Sequence, residues 1–223
     1  NVITITIDGP AGSGKWTTAK KLAEKLRFQV IDTGAIYRAV GVYLAELWAN
    51  IDSVTDRDLE SVNVEYIPNE GIFINKKNYI SIIRTPEAGL VASRIGTQIN
   101  VRNIVNEAAR VSLQKSNSVI EGRDMWVVFS DLRPIKIFLT ADPIVRAHRR
   151  WIELQAKWDP ITEEKILEQI KERDNRDMTR EVSPLIIPEW AYEIDTTHLT
   201  IEEQVDKIYD IVQEVLQKPE NLS

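Results

Sequence analysis

A glycine-rich loop between a strand pattern and a helical pattern constrains the fold of this chain more than any other feature. Residues 2–7 are strongly β-prone, and residues 17–26 place small and apolar side chains at helical spacing. The loop between them reads Gly9-Pro10-Ala11-Gly12-Ser13-Gly14-Lys15. Its glycines let successive backbone N–H groups point at one anion, and the following helix adds the positive end of its dipole. The spacing therefore predicts a phosphate-binding loop at the start of a parallel α/β fold.

The rest of the chain continues this pattern. Strands are predicted at 28–31, 119–120, 135–139 and 192–195, and helices at 35–48, 86–115 with a break near Asn100, 143–157, 162–177 and 201–216. Three further short strands, predicted at 62–67, 72–74 and 79–83, are parted by turn residues and indicate an inserted subdomain. We therefore expect one α/β domain with insertions.

Composition excludes several classes of protein. The 223 residues include no cysteine, which excludes disulfides, zinc–thiolate sites and thiol nucleophiles. The formal charge of −6 argues against non-specific binding of nucleic acid. No apolar run approaches the roughly 20 residues that a membrane-spanning helix needs. We therefore expect a cytoplasmic protein with neither nucleic-acid nor membrane partners.

Arginines recur at spacings that suit phosphate binding. They are Arg146, Arg149 and Arg150, then Arg173 with Asp177 and Arg180, and Arg123 with Asp124 directly after a predicted strand. The planar guanidinium bonds phosphate oxygens in pairs, and such charge stabilises a phosphoryl group in transfer. Taken singly, arginines on charged helices indicate solvated ion pairs. In a chain with a phosphate-binding loop, they favour a phosphoryl-transfer site.

Together these residues resemble the cytidylate kinase family of nucleoside monophosphate kinases. The two most specific runs are Asp32-Thr33-Gly34-Ala35-Ile36-Tyr37-Arg38 and Glu121-Gly122-Arg123-Asp124-Met125. The other matching segments are Ile7 to Lys15, Ile83 to Glu87, Lys136 to Leu139, Arg146 to Arg150, Lys171 to Asp177 and Ser183 to Leu185. They follow the family's order at near-family spacing and cover nearly the whole chain.

The resemblance implies a P-loop NTPase-type parallel sheet flanked by helices and a direct, in-line phosphorylation of CMP or dCMP by ATP. Mg²⁺ would be carried by the nucleotide phosphates, with Thr17 as an additional candidate ligand. The family pattern divides the single domain into a core (about 1–60, 110–142 and 180–223), a three-stranded monophosphate-binding insert (about 61–109) and a helical lid (about 143–179). We expect a monomer that acts in pyrimidine metabolism.

The resemblance also implies roles for individual residues. The candidate ATP-binding residues are Gly9, Pro10, Ala11, Gly12, Ser13, Gly14, Lys15, Trp16 and Thr17. The candidate catalytic residues are Lys15, Arg146, Arg150, Arg173 and Arg180. The candidate acceptor-binding residues are Thr33, Arg38, Ser93, Arg102, Arg123, Asp124, Arg173, Asp177 and Arg180. An aspartate that accepts from cytosine N4 and an arginine that donates to the ring acceptors would suit cytosine, whereas uracil would present an oxygen to Asp124.

Tryptophans mark the departures from the family pattern. Trp16 occupies the position where most phosphate-binding loops place a Ser or Thr that ligates magnesium, and Trp126 lies where the family usually has Gly-Thr. Trp158-Asp159-Pro160 replaces the usual glycine in the lid turn. Two alternatives therefore stay open: a kinase of another small acceptor such as UMP, and a nucleotide-binding protein whose turnover is impaired by Trp16 or Trp126. No specific feature supports a structural or nucleic-acid-binding role.

Overall fold

The computed structural model describes residues 2–156 and 159–218. In chain order the elements are β1 (Thr4–Asp8), α1 (Lys15–Leu26), β2 (Gln29–Asp32), α2 (Thr33–Glu46), α3 (Asp56–Leu59), β3 (Val64–Ile67), β4 (Gly71–Ile74), β5 (Lys77–Asn78), α4 (Pro86–Ile95), α5 (Ile99–Leu113), β6 (Ser118–Glu121), α6 (Met125–Val128), a 3₁₀ turn (Ser130–Leu132), β7 (Ile135–Thr140), α7 (Pro143–Gln155), α8 (Glu163–Thr179), β8 (Tyr192–Asp195) and α9 (Ile201–Gln217).

The chain forms two compact units. The first contains Gln29–Ser118 with the N-terminal residues up to Ile3, and the second contains Thr4–Phe28 and the chain from Val119 onward. The five-stranded sheet has the order β2-β6-β1-β7-β8, and a separate three-stranded sheet has the order β3-β4-β5. A sheet flanked by helices, with a small second sheet, confirms the predicted fold class.

Parallel strands with apolar side chains form the centre of the second unit. Ile7 of β1 lies opposite Ile137 of β7, and Leu139 of β7 lies opposite Ile194 of β8, in parallel register. All five residues of β1 are buried, as expected for a parallel strand covered on both faces. This arrangement places the loop after β1 at the carboxyl end of the sheet, where α/β folds bind ligands.

The small sheet of the first unit is antiparallel and differs from the prediction in its third strand. Val64 pairs with Ile74, and Phe73 pairs with Asn78. The third strand covers only Lys77–Asn78, so the prediction of a strand at 79–83 is wrong. Tyr79 is 1% exposed and its N–H donates to Ile72 O at 2.8 Å. The apolar pattern there reflects burial in a turn rather than an extended strand.

Capping residues set the helix boundaries in the first unit. Asp32 caps α2, accepting a 2.7 Å hydrogen bond from the N–H of Ala35, so α2 begins two residues before the predicted start. The predicted break near Asn100 lies between α4 and α5, at residues 96–98. Gln98 holds this break in place, because its side chain accepts from the N–H of Val54 at 2.7 Å and donates to the carbonyl of Ile51 at 2.8 Å.

Helices α7 and α8 of the second unit cover most of the segment predicted to form the lid. Ala147 and Leu154 of α7 pack with Ile166 and Ile170 of α8, and Trp151 covers this cluster. The tryptophan at 151 therefore has a packing role. The predicted end of α7 at Lys157, and Trp158 of the lid turn, lie outside the described residues.

Three short elements were not predicted: α3, α6 and the 3₁₀ turn at Ser130–Leu132. Helix α6 covers Met125–Val128, directly after the Gly122-Arg123-Asp124 run. Four residues are too few to show helical periodicity, so the pattern of the sequence carries no signal for it. Among the described residues, no helix has the length and apolar character needed to cross a membrane.

Candidate active site

The phosphate-binding loop joins β1 to α1 and depends on glycine at two points. Gly9 has a φ of +147°, and a Cβ there would lie 2.1 Å from the carbonyl oxygen of Leu139 on β7. Gly12 has a φ of +72°, and a Cβ there would lie 3.1 Å from Cβ of Arg146 on α7. Side chains at these positions would be strained, since L-residues disfavour positive φ. The glycines let the loop pack closely against β7 and α7 before it enters α1.

Lys15 begins α1 and is 7% exposed. Its Nζ donates a 2.8 Å hydrogen bond to the carbonyl of Pro10, which also accepts from Ser13 Oγ at 2.9 Å. Burial, followed by the positive charge of Arg123, lowers the pKa of Lys15 to about 7. A phosphate at this loop would supply the negative charge that favours the protonated amine.

A cluster of charged side chains surrounds Asp177 of α8. Arg123 Nη1 lies 2.7 Å from Oδ2 of Asp177, Arg180 Nη1 lies 3.7 Å from Oδ1, and Arg173 Nε lies 4.0 Å from Oδ2. Arg180 Nη2 also lies 3.5 Å from Oδ1 of Asp124. The structure therefore brings together Arg123, Asp124, Arg173, Asp177 and Arg180, all predicted as site residues.

The cluster and the phosphate-binding loop share one electrostatic environment. Burial acts to raise the pKa of Asp177, but the charges of Arg123, then Arg173 and Arg180, outweigh it and hold that pKa below its ordinary value. Lys15 adds to this effect, and Arg123 and Arg173 in turn lower the pKa of Lys15. Asp177 stays ionised and orients three guanidinium groups beside the loop. Such an arrangement can bind phosphate oxygens with little reorganisation.

Arg146 is anchored to the loop. It is 3% exposed, and its guanidinium donates to Ala141 O at 2.9 Å, to Ala11 O at 2.9 Å and to Asp174 Oδ2 at 2.6 Å. Ala11 belongs to the phosphate-binding loop and Asp174 to α8. Arg146, itself on α7, therefore ties the loop to both α7 and α8, an arrangement that the sequence did not indicate.

The other two arginines of α7 have different environments. Arg149 donates to the hydroxyl of Thr196 at 3.1 Å and to the carbonyl of the same residue at 2.5 Å, which ties α7 to the segment after β8. Arg150 pairs with Glu153 at 2.8 Å, and its side chain is 43% exposed. Of the two arginines predicted as catalytic on α7, Arg146 is thus buried and Arg150 lies at the surface.

In the first unit, the predicted phosphate contacts lie at the start of α2. Thr33 is the first residue of the helix and is buried. Arg38 Nη2 lies 3.2 Å from Oδ2 of Asp32, the residue that caps the helix. Within the described part of the chain, Nε of Arg38 is buried and has no hydrogen-bond partner. One carboxylate therefore fixes both the helix start and the orientation of Arg38.

The predicted cytosine contacts of the first unit lie on α4 and α5. Arg102 is 2% exposed, donates to Gly96 O at 2.9 Å, and places its guanidinium 5.8 Å from the ring centroid of Tyr37. This distance allows a cation–π interaction. Ser93 is half-buried on α4. A buried guanidinium held by a backbone carbonyl and an aromatic face has a fixed direction, as a group that reads a base must have.

Asp8, the last residue of β1, belongs to the site although the sequence assigned it no role. Its side chain is 1% exposed, and the N–H groups of Met125 and Trp126 donate to its two carboxylate oxygens at 2.9 Å and 3.1 Å. Burial raises the pKa of Asp8 to about 7, against the lowering effect of these hydrogen bonds. An acidic residue at the end of a buried apolar strand was the available signal.

The two tryptophans that depart from the family pattern lie on α1 and α6. Trp16 follows Lys15 in the first turn of α1 and is half-buried. Trp126 is half-buried on α6, and Nζ of Lys136 lies 5.5 Å from its ring centroid. The structure thus places Trp16 next to Lys15, the predicted phosphate-binding lysine, and Trp126 two residues after Asp124.

The chain is similar to known proteins in both fold and sequence. A solved structure of a protein from Chloroflexus aurantiacus superposes with a TM-score of 0.51 at 17% identity, covering 97% of this chain and 96% of that one, and this likeness concerns the fold alone. The family model described as cytidylate kinase matches residues 5–214.

Curated relatives cover the chain almost completely. The cytidylate kinase of Fervidobacterium nodosum is 46% identical over 211 residues, which is 94% of this chain and 96% of the relative. That of Thermosipho africanus is 42% identical over 94% of both chains, and that of Carboxydothermus hydrogenoformans is 41% identical over 93% of this chain and 96% of the relative. As the motifs predict, this chain belongs to the cytidylate kinase family.

Proposed function

We propose that this protein transfers the γ-phosphoryl group of ATP to CMP or dCMP and releases ADP with CDP or dCDP. The observation that carries this proposal is the shared electrostatic environment of Lys15 and the Asp177 cluster. Burial, and after it the charges of Arg123 and Arg173, lower the pKa of Lys15 at the phosphate-binding loop, so positive charge is concentrated where phosphates would bind. Membership of the cytidylate kinase family supports cytidine monophosphate as the acceptor.

Catalysis would depend on position and charge. The loop from Gly9 to Thr17, Trp16 included, would bind the ATP phosphates. Charge on the transferred group would be neutralised by Lys15, Arg146, Arg150, Arg173 and Arg180. Because the attacking atom is a phosphate oxygen of the acceptor, no side-chain nucleophile and no covalent enzyme intermediate are needed. The negative charge of that oxygen also removes the need for a strong general base.

The acceptor would be held through its phosphate, its ribose and its base. We propose that Thr33 and Arg38 bind its phosphate with Arg123, Arg173 and Arg180, and that Asp177 contacts the ribose. Ser93, Arg102 and Asp124 would read cytosine, since Asp124 can accept from N4 and Arg102 can donate to the ring acceptors. The buried, directionally fixed states of Arg102 and Asp124 support these roles.

Mg²⁺ would be carried by the ATP phosphates. Among residues 2–156 and 159–218, no group of three or more His, Cys, Asp or Glu side chains could hold a metal ion. We propose that the ion takes most of its ligands from phosphate oxygens and water, as Mg²⁺ commonly does at nucleotide sites. Thr17, exposed in the first turn of α1, would be the protein hydroxyl available to it. The ion supplies charge neutralisation on the phosphates.

We also propose a division of labour along the chain. The segment at about 143–179 would act as a lid that excludes water from the transferred phosphoryl group, and the segment at about 61–109 would bind the monophosphate. The remaining core would hold the phosphate-binding loop. A cytoplasmic monomer in pyrimidine metabolism is the setting that we propose for this activity.

The two alternatives have less support. The relatives named above are called cytidylate kinases, so a kinase of UMP is not favoured. A protein that binds nucleotides without turnover would need Trp16 or Trp126 to disable the site. Lys15, beside Trp16, keeps its hydrogen bond to the loop.

The test is ADP formation from ATP and Mg²⁺ with CMP, dCMP, UMP or AMP offered separately, alongside equilibrium binding of CMP. The proposal predicts turnover with CMP or dCMP well above that with UMP or AMP. Binding of CMP without turnover would favour the impaired protein, and preference for UMP would favour the other kinase. Neither binding nor turnover with any acceptor would contradict the proposed function.

A further inference from the structure

The turn that carries Asp124 is attached to the end of β1 at three points. The N–H of Gly122 donates to the carbonyl of Ile7 at 3.1 Å. The N–H groups of Met125 and Trp126 donate to Oδ1 and Oδ2 of Asp8, at 2.9 Å and 3.1 Å. These bonds lie on both sides of Asp124 in the sequence, so they fix the backbone from which its side chain extends.

The first turn of α6 determines which N–H groups are available to Asp8. Asp124 is the N-cap residue of α6, and its carbonyl accepts from the N–H groups of Val127 at 3.0 Å and Val128 at 3.1 Å. The N–H groups of Met125 and Trp126, the first two residues of α6, have no intrahelical partner, because the first N–H groups of a helix never do. The side chain of Asp8, on β1, accepts a hydrogen bond from each of them. Asp8 therefore fixes the backbone from which the Asp124 side chain extends, while Arg180 contacts the Asp124 carboxylate itself at 3.5 Å.

Asp8 is well suited to this task. It is 1% exposed, so its hydrogen bonds are not in competition with water. Hydrogen bonds to a carboxylate are stronger than those to a neutral acceptor. An asparagine of the same shape could accept only one of the two N–H groups and would turn its own NH₂ group toward the other. The position therefore requires a carboxylate rather than any polar side chain.

We infer that Asp8 is a specificity-determining positioning residue: by binding the N–H groups of Met125 and Trp126, it aims the Asp124 carboxylate at the amino group of the acceptor base. The inference rests on the proposed function, in which Asp124 distinguishes cytosine from uracil. Asp8 also ends β1 immediately before the phosphate-binding loop, so one residue joins the ATP loop to the segment that reads the base.

The experiment compares wild type, Asp8→Asn and the matched control Thr6→Val. All three are measured at about pH 8, because the pKa of Asp8 is about 7 and its carboxylate is then ionised. Thr6 lies two residues earlier on β1, is fully buried, and its hydroxyl has no hydrogen-bond partner in the described part of the chain. The readout is the ratio of kcat/KM for CMP to that for UMP, with the KM for ATP measured separately.

We expect Asp8→Asn to lower this ratio by about tenfold or more, the loss expected from one buried hydrogen bond to a charged group. The KM for CMP should rise much more than the KM for ATP, and Thr6→Val should keep the wild-type ratio. An unchanged ratio in folded Asp8→Asn would overturn the inference, whether or not the KM values for CMP and ATP rise together. If the wild-type protein itself failed to phosphorylate CMP, the proposed function would be overturned. This result is distinct from failure of the inference, because it is seen in the wild-type protein alone.

A second pair of variants cuts the same contact from the other side, should Asp8→Asn fail to fold. Trp126→Pro removes the N–H that donates to Asp8, in the first turn of α6, where the substitution breaks no intrahelical hydrogen bond. Trp126→Ala removes the indole and keeps the N–H. We expect a lower CMP-to-UMP ratio in Trp126→Pro than in Trp126→Ala, and equal ratios would contradict the inference.

Discussion

The two units hold their predicted arginines in different ways. In the second unit, Arg123, Arg173 and Arg180 surround one buried carboxylate, Asp177. In the first unit, the predicted arginines stand apart, one beside a helix cap and one against a backbone carbonyl and an aromatic ring. Shared carboxylates concentrate positive charge for phosphates, whereas separate anchors fix single directions. The comparison suggests that loss of an arginine of the Asp177 cluster acts mainly on turnover, and that loss of Arg38 or Arg102 acts mainly on acceptor binding.

The largest effect is expected from Lys15→Met. This substitution keeps an apolar stem in a buried position and removes the one lysine of the phosphate-binding loop, so kcat should fall by roughly 10²–10³-fold, as when a preorganised charge-stabilising group is lost. Steady-state turnover of CMP measures it. Lys20→Met, an exposed position on the same helix, is the control and should behave as wild type. A kcat near wild type in Lys15→Met would remove the phosphate-binding loop from catalysis.

Asp124→Asn should affect the choice of acceptor. Asparagine presents an NH₂ group where cytosine N4 also donates, so kcat/KM for CMP should fall roughly 10–100-fold while that for UMP falls less or rises. Separate measurements with each acceptor check this, with the exposed Asp210→Asn as the control. Equal losses for both acceptors would mean that Asp124 supports the site without reading the base.

Arg102→Lys tests the first unit. Lysine keeps the charge but loses the planar fork that donates to Gly96 and faces Tyr37. The KM for CMP should rise by about tenfold, with a smaller change in kcat, because the loss of a contact made equally in ground and transition states raises KM alone. The exposed Arg94→Lys serves as the control. A fall in kcat with KM unchanged would contradict the division between the units.

The protonation of Lys15 predicts a pH dependence of ATP binding. In the free protein its pKa is about 7, so at about pH 8 most molecules carry the neutral amine. Bound phosphates favour the charged form, so binding takes up a proton, and affinity should fall by up to about tenfold for each pH unit above 7. Calorimetry of a non-hydrolysable ATP analogue in buffers of different ionisation enthalpy measures this uptake. Lys15→Arg, always charged, should abolish it, and uptake that persists would point to another group.

Trp16→Ser should have the smallest effect. The mutation restores the residue type usual at this position of a phosphate-binding loop. If Trp16 does not hinder the phosphates, kcat should stay within about threefold of wild type, which is less than ~1 kcal/mol in the barrier. Single-turnover measurements with CMP compare the two proteins. A gain far beyond threefold would show that Trp16 impairs the wild-type enzyme.

Local chemistry made much of the fold predictable from sequence. The glycines, the apolar strand before them and the helix after them determine the phosphate-binding loop through short-range sterics. Capping likewise identified the start of α2 through Asp32, within two residues. Burial in a turn was harder to recognise, since Tyr79 has the same apolar character in a strand or beneath a loop.

Contacts between distant parts of the chain could not be predicted in this way. Asp8 and Met125 are separated by 117 positions, and Arg146 and Ala11 by 135. No spacing rule relates residues that meet only through the packing of the sheet. The sequence therefore indicated which residue types the site uses, while the attachment of the Asp124 turn to β1 and that of Arg146 to the phosphate-binding loop required the structure.

The most direct test of the central claim is a competition between acceptors. Equal concentrations of CMP and UMP are supplied in one reaction with ATP and Mg²⁺, and the early ratio of CDP to UDP is measured. This ratio equals the ratio of the two kcat/KM values and is independent of the amount of active enzyme. We predict that CDP exceeds UDP by at least roughly tenfold, the discrimination that a site built to hydrogen-bond one base can provide. Equal amounts of the two products, or an excess of UDP, would contradict the assignment of cytidine monophosphate as the acceptor.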